Sequence, residues 1–136
     1  MTLVVDASIA VKWYFEQPGT DAARAIAASD ETLIAPDLIH AECGSAIWRY
    51  VRANVISEDK AKAIMPRLLL RLDRFTAISE LTDEALNLAI ALNHPIYDCF
   101  YLALARQEAA PLVTADKRLA ALAERLSGVD IRLIGS

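Results

Sequence analysis

The chain has 136 residues, 55% of them hydrophobic, and a formal net charge of −4. That is enough for one core and leaves no room for a second, so a single domain over 1–136 is expected, with no internal repeat or low-complexity linker. Charges break every apolar run short of the ~20 residues of a bilayer span, and Met1 leads into a strand-like LVV and not a signal sequence; a cytoplasmic protein without a membrane partner is expected.

In chain order, TLVVD (2–6) reads as a short apolar strand stopping at an acid, and Ser8 as the N-cap of a helix from Ile9 to Phe15. Pro18 and Gly19 break the chain before an Ala-rich helix over 20–29. TLIA (32–35) is a second buried strand, after which Pro36 and Asp37 open a long helix to about Arg52 with Glu42 in its first turns. Ser57 starts a helix to about Leu72 with Pro66 as a kink, and FTAIS (75–79) is strand three. Thr82, Asp83 and Glu84 begin a helix to Leu92, and His94 and Pro95 separate it from a helix over 97–108 with Asp98 in its opening turn. PLVTAD (111–116) is a strand that again ends at an acid, followed by a helix over 117–126 and a final strand, IRLI (131–134). Short apolar strands alternating with helices predict an α/β fold, a three-layer α/β/α sandwich around a mostly parallel sheet of about five strands.

Cys43 and Cys99 stand in apolar helical contexts without metal-binding spacing and are expected to be plain buried thiols. Seven of the fourteen basic residues fall between Arg49 and Arg74, against three acids, so that segment carries +4 and the rest −8. A basic flank beside an acidic centre suits nucleic acid; a solvated helix face is the plainer alternative.

Asp6, Glu42, Asp98 and Asp116 each stand where a hydrophobic segment meets the start of a helix. In open α/β sheets the functional crevice lies beyond the carboxyl ends of the strands, so the four can converge there. Two unit charges about 4 Å apart repel by roughly 4 kcal/mol at an effective dielectric near 20. An all-oxygen site of that kind suits Mg2+ or Mn2+, and such an ion supports hydrolysis at phosphorus.

The segments VVDASIAVKW, PDLIHAECGSAIWR, YDCFYLALA and LVTADKRL, in that order, resemble the PIN-domain nucleases and in particular the VapC-type ribonuclease toxins of toxin–antitoxin pairs. The resemblance covers essentially the whole chain and implies a PIN-like fold. It implies that Asp6, Glu42, Asp98 and Asp116 are catalytic and hold one or two Mg2+ or Mn2+ ions, with Ser8 and Thr114 in supporting positions. Cys99 departs mildly from the pattern, standing where the family more often has a small residue such as Ala. An RNA substrate, a homodimer and an inhibitory cognate antitoxin are implied in the same way.

Asp37 reads as an N-terminal helix acid, and Glu16, Asp83 and Glu84 as solvated, all outside the site. His40 and His94 read as structural, and Trp13, Tyr14, Phe15, Trp48 and Tyr50 as core or interface. The alternative is a catalytically silent PIN-like module that binds RNA or protein through its basic helices. A phosphatase with an Asp nucleophile after the first strand would need a second acid at position 8, which is Ser, or a lysine closing a late strand, and the late strand ends at Asp116. Gly19, Gly44, Gly128 and Gly135 make no G-x-G-x-x-G and no phosphate loop.

Overall fold

The computed structural model describes residues 1–135. Five strands, β1 (Thr2–Val5), β2 (Thr32–Pro36), β3 (Arg74–Thr76), β4 (Leu112–Thr114) and β5 (Ile131–Leu133), form one all-parallel sheet in the order β3-β2-β1-β4-β5. The helices are α1 (Ala7–Lys12), α2 (Thr20–Ala27), α3 (Ile39–Arg52), α4 (Glu58–Leu70), α5 (Thr82–Leu92), α6 (Ile96–Glu108) and α7 (Lys117–Glu124).

Strand side chains alternate between faces, so each strand feeds two cores. Leu3, Val5, Leu33, Ala35 and Val113 pack with α1–α4, while Val4, Ile34 and Leu112 pack with α5–α7. Burial on both faces explains why the central strands are continuous apolar runs. α6 is the most enclosed helix, with every residue from Cys99 to Ala105 buried. No single helix among the described residues is long and apolar enough to cross a membrane.

Several element ends differ from expectation, most of them because a side chain captures the backbone and one because a strand bond persists. The first helix starts at Ala7 with Asp6 as its N-cap, accepting from the Ile9 amide at 3.3 Å; Ser8 lies inside the helix. Pro36 closes β2, and the long helix starts only at Ile39 because the Asp37 amide still donates to Thr76 O across the sheet. Strand three is Arg74–Thr76, and residues Ile78–Glu80 form a 3-10 turn, since Asp37 Oδ1 takes the Ile78 amide at 3.0 Å. β4 ends at Thr114 because the next two amides go to side chains, Ala115 to Ser8 Oγ and Asp116 to Thr114 Oγ1. The edge strands are not buried on both faces: Arg74 and Phe75 of β3 and Arg132 and Leu133 of β5 are exposed.

Gly19 has φ +84 at the start of α2, and a Cβ there would collide with the Gly135 carbonyl oxygen. Gly19→Ala is therefore expected to destabilise the fold by about 1–3 kcal/mol, read from the urea midpoint. An unchanged midpoint would show that this turn tolerates a side chain.

Candidate active site

The sheet order changes direction between β1 and β4: from β1 the chain winds outward through β2 and β3, then returns to place β4 on the other side. Side chains at the carboxyl ends of these two strands border the crevice this switch opens. Asp6 follows β1 directly, and Asp116 follows β4 by two residues as the N-cap of α7. Glu42 lies in the first turn of α3 and Asp98 in the first turn of α6. All four line one cleft of about 650 Å³.

Asp6 is 5% exposed. Its carboxylate accepts from Ser8 Oγ at 2.6 Å and from the Thr114 hydroxyl. Burial pushes its pKa up to about 6, opposed by the Ser8, Thr114 and Ile9 hydrogen bonds and reinforced by the charge of Asp116. Ser8 and Thr114 also take the amides of Ala115 and Asp116, so the two hydroxyls tie the ends of β1 and β4 together.

Glu42 Oε1 accepts from the Tyr101 hydroxyl at 2.5 Å. The bond joins α3, packed on one face of the sheet, to α6, packed on the other. Desolvation raises the pKa of Glu42 against the effect of that bond, and the charges of Asp6 and Asp98 raise it further. Tyr101 is held well above the ordinary tyrosine range, first by burial and then by the Glu42 charge.

Asp98 Oδ2 lies 2.8 Å from His94 Nε2, both side chains being largely buried. Asp116 accepts the Arg118 and Leu119 amides, and the Arg118 guanidinium stands 3.6 Å from its other oxygen. Each acid is thus held by a protein partner, and among the described residues no three Asp, Glu, His or Cys side chains stand close enough to hold one ion as placed. The donor chemistry does fit a hard divalent cation. The groups are all oxygen and share one cleft, and neighbouring carboxylates help raise the pKa values of Asp6 and Glu42.

Sequence reading missed His94 and Tyr101 as partners of the acids. The His94 and Asp98 spacing of four residues was a usable signal; the Tyr101 to Glu42 contact spans 59 residues and left none. Gln17, Arg49 and Tyr50 line the same cleft, and Tyr50 is a wall residue rather than core. Trp13 is core, donating from Nε1 to Ala23 O at 2.9 Å, and Trp48 is exposed beneath Arg52. His40 rests against Phe75 away from the cleft. Asp37, Glu16, Asp83 and Glu84 do not line the cleft. Both cysteines are buried and free, and Cys43 is pushed up to about 12 by burial. Of the basic segment, Arg71 is tied to the carbonyls of Ala27, Ser29 and Glu31, Arg74 to Glu108 and Lys62 to Glu58, so those three cations serve the fold.

Fold and cleft define the class: a parallel α/β domain with an acid-lined crevice at the switch in strand order. The chain belongs to the PIN domain family, whose pattern matches residues 3–125. It is 32% identical over 123 residues to ribonuclease VapC3 of Pyrobaculum aerophilum, across 88% of this chain and 93% of that protein. It is 39% identical over 88 residues to ribonuclease VapC1 of Mycobacterium tuberculosis, across 64% of this chain and 65% of that one. Two solved structures share the fold. The PAE2754 protein of Pyrobaculum aerophilum superposes with a TM-score of 0.71 at 22% identity, over 96% of this chain and 92% of that one. VapBC2 of Rickettsia felis, bound to a DNA fragment from its promoter, gives 0.70 at 16% identity over 98% of both chains.

Proposed function

We propose that this chain is a metal-dependent endoribonuclease toxin that hydrolyses RNA phosphodiester bonds and is inhibited by a cognate antitoxin, with a homodimer as its working form. The observation that carries the reading is the meeting of Asp6, Glu42, Asp98 and Asp116, from four separate segments, in one cleft at the strand-order switch. The ribonuclease names of the relatives support the substrate class, and the VapB partner of the Rickettsia felis protein supports the antitoxin.

Asp6, Glu42, Asp98 and Asp116 are the residues that would hold Mg2+ or Mn2+. Such an ion supplies positive charge at the scissile phosphate and makes water a stronger nucleophile near neutral pH. The chain positions the carboxylates: Ser8 and Thr114 hold Asp6, Tyr101 holds Glu42, and His94 faces Asp98. Partial desolvation strengthens the attraction between these acids and a cation, since charges interact more strongly away from bulk water.

Purified protein free of antitoxin is expected to cut mixed-sequence RNA in the presence of magnesium or manganese and to stop when EDTA is added. RNA left intact with both metals, alongside salt-sensitive, metal-independent binding, would favour the silent-module reading instead.

A further inference from the structure

The cleft has two ends of opposite charge. One stripe of α3 lines it, Glu42, Ala46, Arg49 and Ala53, spaced three or four residues apart so that they share a helix face, with Ser45 four residues before Arg49. Arg49 is seven residues beyond Glu42, about 10 Å of helix rise. Among the described residues no carboxylate pairs with Arg49; its one side-chain hydrogen bond is a 3.5 Å contact to the Ser45 hydroxyl. Beside it, the Tyr50 hydroxyl accepts from Gln17 Nε2 at 2.5 Å and, among the described residues, donates to nothing, which leaves its O–H free for an acceptor. The ring is fixed by stacking on Phe15 with centroids 4.1 Å apart. Behind this wall, the Lys12 ammonium is buried and donates to Gln17 Oε1 at 3.1 Å and Pro18 O at 2.7 Å, again without a carboxylate.

We infer that this end is a phosphate subsite for a nucleotide adjoining the one that is cut, with Arg49 as the cation, Tyr50 as a neutral donor, and the Lys12–Gln17 pair holding Tyr50 in place. The identity of the ligand rests on the ribonuclease reading above. A polyanion meets repulsion from the acids at one end, and a free guanidinium at the other supplies the attraction that fixes its register along the groove.

The test uses a fluorescein-labelled, mixed-sequence single-stranded RNA without divalent ions, followed by anisotropy over a potassium chloride series. Arg49→Ala is expected to weaken binding roughly tenfold at low salt and to make the slope of log affinity against log salt less negative by about 0.7, one phosphate on a single strand. Tyr50→Phe, which keeps the stack, is expected to weaken binding by about threefold with the slope unchanged, because it removes a neutral donor. With magnesium, Arg49→Ala should raise KM and leave kcat unaltered. Because Arg49 is exposed, the variant is expected to melt with the wild type.

An Arg49→Ala protein with wild-type affinity, slope and KM overturns the subsite while leaving hydrolysis standing. Wild-type protein that binds RNA with an Arg49-dependent slope but cuts nothing overturns hydrolysis and leaves the subsite. Absence of RNA binding in the metal-free assay overturns the subsite, and RNA left uncut with magnesium and manganese as well overturns both.

Discussion

Asp98→Asn is expected to slow RNA cleavage by roughly a thousandfold or more, about 4 kcal/mol of lost transition-state stabilisation, with the melting temperature close to wild type. Asparagine keeps the shape of the side chain and can still accept from His94, so the packing of the first turn of α6 is retained. What it removes is one of the negative charges proposed to hold the cation, and a neutral amide oxygen is a much weaker partner for a hard divalent ion. RNA affinity should be equal or higher, because a charge repelling phosphate has gone. Rates on a labelled RNA, beside anisotropy with the same RNA, separate the two effects. Cleavage within tenfold of wild type would remove Asp98 from the chemistry, and an equal fall in affinity and rate would make its role one of binding.

The parts of this site legible in the sequence are those fixed by local chain geometry. Asp6 and Asp116 were readable as acids that end apolar, strand-like runs; their capping of the following helices was not, since Ser8 looked the better cap for the first helix and Asp6 takes that place in the structure. Glu42 and Asp98 were readable as acids in first turns, where the helix dipole favours them. The parallel sheet followed from apolar runs such as LVV and TLIA, which can be buried on both faces only under two helical layers.

Features that depend on contacts between distant segments were not readable. Tyr101 carries no local sign that its hydroxyl reaches Glu42, because the meeting depends on α3 and α6 arriving from opposite faces at one sheet edge. Strand ends were overrun at Ile78 and Ala115 for the same reason: Asp37 and Ser8 take those amides from 41 and 107 residues away. The basic segment shows the converse error. Its cations are not told apart by sequence, yet Arg71 and Arg74 stabilise loops and a helix end while Arg49 is the one cation of that segment lining the cleft.

In metal-free protein, stability is expected to fall as pH rises from about 4 to about 6, and Asp6→Asn is expected to abolish most of that fall. The folded protein holds the Asp6 pKa near 6, above the 3.8 of an ordinary aspartate. Below about 4 the group is protonated in both folded and unfolded chains and carries no penalty. As pH rises, the unfolded chain ionises first, and above about 6 the folded state must carry a buried charge. A difference of about two pKa units corresponds to about 3 kcal/mol lost by neutral pH. Glu42, also raised, adds in the same direction. An asparagine at position 6 does not titrate, and its amide can accept from Ser8 and donate toward the Thr114 oxygen, so the variant should be the more stable protein at pH 7 in EDTA by about 1–3 kcal/mol. Urea midpoints of both proteins from pH 4 to 8 give the comparison; parallel curves would show that the Asp6 carboxyl is not strained by burial. Adding magnesium at neutral pH should raise the midpoint of the wild type more than that of Asp6→Asn, because the most buried of the charges a cation would relieve is gone.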